Sequence, residues 1–178
     1  MADSKQIDWE ALATDLSSIQ AQSGGRRVER GGHSLAIAAV ERLLGPDQFV
    51  AAVDYYVSMR PGFELARSVL ALLHPWVAML RCRELAGSSP DVVVRRAAVE
   101  LLRVVADARV LPWIDDFLDD ADPYIQTCGI LVLDRLLLAD LADHSDCEAI
   151  LARARLHHNR AVREAVSEID QRTLSTQQ

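Results

Sequence analysis

The chain has 178 residues, half of them hydrophobic, and carries a formal net charge of −7. That apolar fraction excludes an intrinsically disordered chain, and the length suits a single domain spanning 1–178. No stretch approaches the roughly 18 uncharged apolar residues of a membrane-spanning helix. Residues 1–10 carry three acids and no apolar run, unlike a secretory signal. We therefore expect a cytoplasmic protein without a membrane partner.

The charge is unevenly distributed along the chain. Eighteen of the nineteen basic residues are arginine, a bias typical of a GC-rich bacterial genome. Residues 107–148 contain eleven acids and two arginines, a net charge of −9, whereas the remainder carries +2. One part of the molecule is therefore expected to carry a strong negative field.

In chain order, the first predicted elements are capping helices within 8–44. Residues 8–20 place four apolar side chains on one helical stripe, Trp9, Leu12, Leu16 and Ile19. Ser34 can cap a second helix, which ends before Gly45. The segment 20–33 contains two glycine pairs and three arginines. We predict a flexible loop there, with an anion-binding loop as the alternative because arginine and backbone amides bind phosphate.

From residue 47 to residue 172 the apolar spacing is helical, and no strand is predicted. Apolar residues recur at i, i+3, i+4 and i+7 in segments that turn residues separate. The predicted helices include 63–73, 76–87, 92–105 and 123–140. The polar residues 173–178 are expected to form a frayed tail. We therefore expect an all-α protein.

Four segments repeat one spacing, in which a turn residue is followed by apolar, small and apolar residues. The turn residues lie 29, 31 and 37 residues apart, at Gly62, Asp91, Asp122 and Asn159. The small residues, which let paired helices approach closely, are Ser68, Ala97, Cys128 and Ala165. Such periods are typical of stacked helix hairpins. The prediction is an α-solenoid of about four antiparallel helix pairs with an N-terminal capping helix.

The second copy contains Asp91, Val94, Arg95, Ala97, Leu101 and Leu102. This spacing resembles the second helix of a HEAT or HEAT-like repeat of the PBS-lyase type, and the resemblance covers residues 47–172. It implies antiparallel helix pairs stacked into a right-handed superhelix. Members of this family serve as scaffolds, inhibitors, lyase partners and nucleic-acid enzymes, so the resemblance implies little about activity. Gln126 stands where the family has arginine, so the resemblance does not imply a polar ladder between repeats at that position.

Five aspartates form the sharpest surface feature, which we call the acidic cluster: Asp115, Asp116, Asp119, Asp120 and Asp122. Ile114, Phe117 and Leu118 occupy the buried stripe, so we expect the helical aspartates to project outward without compensating charges. Like charges at this spacing destabilise a helix by roughly a few tenths of a kcal/mol per pair. Two interpretations remain open, a docking site for a basic partner and a solvated outer face. The spacing does not match a calcium-binding loop.

Other candidates are less specific. Asp54 and Tyr55 pair an acid with a tyrosine on the polar side of a helix, as a partner contact or as packing at a repeat edge. The histidine and cysteine positions lack the paired spacing of a zinc site, namely His144, Cys147, His157 and His158. Glu100 is expected on a solvent-exposed helix face. We predict no catalytic residue, no cofactor and no metal.

The leading hypothesis is a non-enzymatic, monomeric module that docks onto a basic protein. A concrete version is an immunity protein that neutralises a bacterial toxin such as a nuclease. The alternatives are a HEAT-like enzyme of the DNA glycosylase type and an assembly adaptor. A glycosylase needs a basic groove for the phosphate backbone, which the acidic repeats do not favour, so nucleic acid is not the expected partner.

Overall fold

A computed structural model describes residues 7–21 and 27–176. They form ten α-helices, one 3₁₀ helix and one short two-stranded hairpin, so the predicted all-α class is confirmed apart from the hairpin. The chain divides into two compact units, 1–48 and 49–178, close to the predicted start of the repeats at 47. Among the described residues, no helix is long and apolar enough to cross a membrane.

The first unit differs from its prediction. Its elements are α1 (Trp9–Asp15), β1 (Ile19–Ala21), β2 (Arg27–Glu29) and α2 (His33–Leu44). β1 pairs antiparallel with β2, so a hairpin occupies part of the predicted loop at 20–33. Residues 22–26 of that loop lie outside the described residues. The expected stripe on the first helix is wrong, because Ser17 adopts a left-handed φ of 55° after α1, and Trp9 is 63% exposed.

The second unit contains the remaining helices, the first of which begins just before the unit boundary. These are α3 (Pro46–Val57), α4 (Phe63–Leu73), α5 (Trp76–Ser88), α6 (Val92–Val105), a 3₁₀ helix (Ala108–Trp113), α7 (Ile114–Leu118), α8 (Pro123–Leu138), α9 (His144–Arg155) and α10 (Arg160–Thr176). The predicted helices 63–73, 76–87, 92–105 and 123–140 all agree with these bounds to within two residues. α10 continues through most of the predicted frayed tail, since it ends at Thr176.

Helices of the second unit pack in two ways. α4, α6, α8 and α10 lie side by side, in that order. α5, α7 and α9 each pack against the helix that follows them in the chain. The core between these helices is aliphatic and includes the fully buried residues Leu101, Leu102, Ile114, Leu118, Ile130 and Leu133. Its burial provides the main stabilisation of the unit.

The small-residue positions only partly explain the close packing. A Cβ atom on Gly129 would lie 2.7 Å from the Cβ atom of Phe117, so α7 approaches α8 very closely one residue after Cys128. In the faint first copy the expected inward residues Leu65 and Leu72 are 71% and 65% exposed. α4 is the first helix of the side-by-side series, and it buries Leu70 together with Leu73, the one apolar residue of this copy that lies inward as expected.

Candidate functional site

Every aspartate of the acidic cluster has an arginine partner on another helix. Arg83 of α5 pairs with Asp116 at 3.0 Å. Arg153 of α9 lies 2.6 Å from Asp115. The other pairs are Arg153 with Asp119, Arg95 with Asp120, and Arg96 with Asp122. The prediction of uncompensated charges is therefore wrong, because neighbouring helices turn arginines toward the cluster.

The acidic cluster does not lie on one outward helical face. α7 ends at Leu118, and Asp120 and Asp122 belong to the turn before α8. Asp115, Asp116 and Asp119 are exposed, as expected. The Asp122 side chain is only 8% exposed, and that of Asp120 is also largely buried. The carboxylates of Asp120 and Asp122 therefore have structural roles.

Asp122 joins α6 to the start of α8. Its two oxygens accept hydrogen bonds from Arg96 Nε at 2.8 Å and Nη2 at 3.2 Å. Oδ1 also accepts from the backbone N–H of Tyr124 at 2.8 Å. The bonds from Arg96 and the backbone amides hold the pKa of Asp122 below its usual value, against the opposing effect of burial. The carboxylate is an N-cap and an ion-pair partner at once.

Three helices begin with the same side-chain arrangement. The residue before α6, α8 and α10 accepts a hydrogen bond from the backbone N–H two positions later. These bonds are Val93 to Asp91 at 2.8 Å, Tyr124 to Asp122 at 2.8 Å, and Ala161 to Asn159 at 3.0 Å. The turn residues that sequence spacing aligned therefore occupy equivalent positions.

The residue four positions after each cap binds the backbone that precedes the cap. In all three copies its side chain donates to a backbone carbonyl, which lies in the last turn of α5 in the first copy and in the turn after α7 or α9 in the other two. The bonds run from Arg95 Nε to Ala86 O at 2.7 Å, Gln126 Nε2 to Asp120 O at 2.7 Å, and Arg163 Nη1 to His158 O at 2.9 Å. Each helix pair is thus closed by the same kind of bond.

Polar bonds also link one helix pair to the next. Arg95 reaches Asp120, as described above. Asn159 Nδ2 donates to Gln126 Oε1 at 2.9 Å. Gln126 takes part in the second of these links, because an amide can accept from Asn159 through Oε1 while Nε2 donates to the Asp120 carbonyl.

Asp54 and Tyr55 of α3 have local partners. Asp54 pairs with Arg81 of α5 at 2.9 Å. The Tyr55 hydroxyl donates to the carbonyl of Pro61, and the Arg60 guanidinium lies 4.9 Å from the centre of its ring. Tyr55 therefore fastens the turn before α4, and both side chains are half-buried.

Glu100 is a polar hub that sequence reasoning missed. One carboxylate oxygen accepts from the Tyr124 hydroxyl at 2.5 Å and lies 3.3 Å from Cys128 Sγ, while Arg103 binds the other oxygen at 2.9 Å. Although burial acts to raise it, the pKa of Glu100 is lowered by these hydrogen bonds. The pKa of the neighbouring thiol shifts in the opposite direction. Burial and the Glu100 carboxylate raise the pKa of Cys128 to about 12. The expected solvent exposure of Glu100 is therefore wrong.

The remaining thiols and His157 are part of the packed structure. Cys82 and Cys147 are buried and free, and burial raises the pKa of both. His157 Nε2 lies 3.0 Å from the Leu118 carbonyl, and its Nδ1 accepts from the Asn159 N–H at 3.1 Å. Within residues 7–21 and 27–176, no group of three or more histidine, cysteine or acidic side chains is arranged to hold a metal ion.

A second acidic surface follows α8, and we call it the acidic edge: Asp140, Asp143 and Asp146. All three are exposed, and in the described part of the chain their carboxylates have neither an ion-pair nor a hydrogen-bond partner. Asp143 precedes α9 but makes no side-chain cap. Leu138 and Leu141, at this corner, are 56% and 40% exposed. The regular spacing of aspartates in 140–146 was the available sequence signal.

The corner at the acidic edge is well defined by backbone bonds. Leu141 N–H donates to Leu136 O at 2.9 Å, which closes the end of α8. Asp140 has a left-handed φ of 53°, a conformation that aspartate and asparagine tolerate better than most residues. The three carboxylates are therefore presented by an ordered turn and the first turn of α9.

Comparison with protein-family models, curated proteins and solved structures gives no match for this chain. The resemblance to HEAT-like repeats therefore depends on the sequence spacing alone. A functional assignment has to come from the chemistry of the exposed surface.

Proposed function

We propose that the second unit is a HEAT-like α-solenoid that serves as a non-enzymatic protein-binding module. Support for the repeats comes from α6, α8 and α10, which begin with the same cap and lie side by side. Helical repeat proteins present extended surfaces that bind other proteins.

The acidic edge is the observation on which this proposal depends. Asp140, Asp143 and Asp146 are free to bind cations of a partner, and Leu138 and Leu141 supply exposed apolar area beside them. An apolar centre with a polar rim is typical of protein interfaces. Unpaired negative charge accelerates association with a basic surface and makes it sensitive to salt. The expected partner is a basic protein.

The acidic cluster has a secondary role in this proposal. Asp115, Asp116 and Asp119 are exposed but share their charge with two arginines, so they form an outer rim. Asp54 and Tyr55 also have partners within the chain, so we assign them to the outer rim as well. An immunity protein that covers the basic active site of a toxin is one concrete form of this function.

A nucleic-acid enzyme has less support from the geometry. Binding duplex DNA requires several cations that are free to contact phosphates. Arg83, Arg95, Arg96 and Arg153 each contact an aspartate instead. Micromolar binding of duplex DNA at moderate salt would favour the glycosylase alternative, and a partner that assembles a larger complex would favour the adaptor.

Two variants of equal charge test the proposal. The first replaces Asp140, Asp143 and Asp146 with asparagine, and the second does the same at Asp115, Asp116 and Asp119. Each variant and the unmodified chain are immobilised separately and incubated with lysate. The protein that the unmodified chain retains is purified, and its Kd for all three chains is measured over a salt series. Because the two variants have the same net charge, a difference in their affinities reports where the charges were removed and not how many were removed.

We expect a basic partner whose affinity for the edge variant is about tenfold lower or weaker still, as loss of interfacial charge pairs implies. The cluster variant should lose less, and high salt should weaken the unmodified complex. Equal losses in the two variants, or an affinity that salt does not change, would contradict the proposal.

A further inference from the structure

A pocket of about 280 Å³ lies where α3, α4, α6 and α8 meet, and we call it the arginine pocket. Three arginines line it, each from a different helix: Arg67, Arg103 and Arg135. Glu100 and Asp134 also line it. The volume is slightly below the roughly 300–1,000 Å³ of sites for drug-sized ligands, which indicates a smaller ligand.

The two acids of the arginine pocket do not neutralise Arg135, because both are paired with other residues. Glu100 is bound by Arg103 and by the Tyr124 hydroxyl, and Asp134 pairs with Arg172 of α10. Arg135 is exposed, and no described residue forms an ion pair or hydrogen bond with its guanidinium.

The other two arginines are only partly used. Arg67 gives one terminal nitrogen to Glu64 at 2.9 Å, and Arg103 gives one to Glu100 at 2.9 Å. A guanidinium has five N–H donors, so both retain donors for a further acceptor.

Tyr56 provides a second, independent observation. Its side chain lines the arginine pocket and is 8% exposed, yet its hydroxyl makes no hydrogen bond with any described residue. The hydroxyl is therefore available to donate to an acceptor inside the pocket.

The helix dipole accounts for part of this arrangement. Arg103 and Arg135 lie in the last turns of α6 and α8, where a cation is stabilised by the helix C-terminus. That effect does not explain why Arg67 joins them from α4. Guanidinium groups from three helices that line one pocket can bind a phosphate through charge-assisted hydrogen bonds.

We propose that the arginine pocket binds the phosphate group of a small molecule. The Tyr56 hydroxyl and the three guanidinium groups donate to its oxygens. This inference does not depend on the acidic edge, and either proposal can fail without the other.

Binding is tested by calorimetry and by backbone amide NMR in chloride buffer, with inorganic phosphate, a mononucleotide and acetate as separate probes. Arg135→Gln is expected to weaken phosphate binding about tenfold, as loss of a charge-assisted hydrogen bond implies. Tyr56→Phe should weaken it about fivefold, and the variant should fold normally because the hydroxyl it removes has no partner. Arg160→Gln is the matched control, since Arg160 is an exposed arginine of α10 paired with Glu164.

The proposal predicts saturable binding of inorganic phosphate or the mononucleotide, with amide shifts concentrated around the arginine pocket. Tighter binding of the mononucleotide identifies a phosphate ester as the natural source, whereas equal binding identifies free phosphate. Acetate that binds as tightly as phosphate, shifts centred elsewhere, an equal loss in Arg160→Gln, or no saturable binding would overturn it.

Discussion

The acidic cluster and the acidic edge belong to one acidic segment of the chain, but their carboxylates have different neighbours. Arginines from α5, α6 and α9 reach every aspartate of the cluster. None of the described residues reaches the carboxylates of the edge. A run of like charges in the sequence therefore has two outcomes, a structural link between helices and an exposed surface. The pattern of acids alone does not distinguish these outcomes, because the deciding cations lie on other helices.

The largest expected effect comes from the contact that positions the acidic cluster. Gly129→Ala places a Cβ atom 2.7 Å from Phe117 Cβ, which forces α7 away from α8. We expect a loss of about 2–3 kcal/mol in the free energy of unfolding, measured by urea denaturation.

Gly87→Ala is the matched control for that change. A Cβ atom at Gly87, within α5, meets no atom within 4 Å, so helix propensity should raise stability by about 0.5–1 kcal/mol. If both substitutions had the same sign, the close α7–α8 approach would not be the cause.

The sequence predicted this contact only approximately, and for a physical reason. Spacing correctly identified Asp91, Asp122 and Asn159 as helix starts, since capping is local and depends on nearby backbone amides. Cys128 and Gly129 are adjacent small residues, and the choice between them depends on where α7 crosses α8. A crossing point is a property of two helices packed together.

The same distinction explains the errors at the functional surface. Arg153 follows Asp115 by 38 residues, and the pairing depends on the rotation of α9 about its axis. The β1–β2 hairpin was missed because strands of three residues are too short for an alternating pattern to be recognised.

The second prediction compares three residues that precede helices. Asp122→Ala removes a cap and the partner of Arg96, and we expect a loss of about 2 kcal/mol, the upper end of the range for N-caps. Asp91→Ala removes a cap alone and should cost about 1 kcal/mol. Asp143→Ala, at the acidic edge, removes neither, and its effect should lie within about 0.5 kcal/mol. Equal losses at Asp122 and Asp143 in urea denaturation would remove the distinction between the two surfaces.

The third prediction uses pH to isolate the charge of Asp122. Because the pKa of Asp122 is lowered in the folded protein, its stabilisation is present above the unfolded value near 4 and disappears as pH falls through the folded pKa. Asp122→Asn keeps a capping side chain but removes the titrating group. Between pH 5 and pH 3 the variant should therefore lose less unfolding free energy than the unmodified protein.

Asp170 supplies an internal check on this titration. Hydrogen bonds from Arg155 lower the pKa of Asp170 as well, so Asp170→Asn should flatten the same part of the profile. The double variant should be flatter than either single variant, since the two groups lie on different helix pairs and are expected to add. An unchanged slope in Asp122→Asn would show that its ion pair is not formed in solution.

The smallest expected effect is the most informative about function. Replacing Asp140, Asp143 and Asp146 with asparagine should change the unfolding free energy by less than about 0.5 kcal/mol, because no described residue depends on these carboxylates. Asparagine also tolerates the left-handed conformation at residue 140. The equal-charge variant of Asp115, Asp116 and Asp119 breaks exposed ion pairs and should cost about 1 kcal/mol. A stable edge variant that loses its partner would show that the edge contributes to recognition and not to folding, whereas a destabilised one would show that its charges are also needed by the fold.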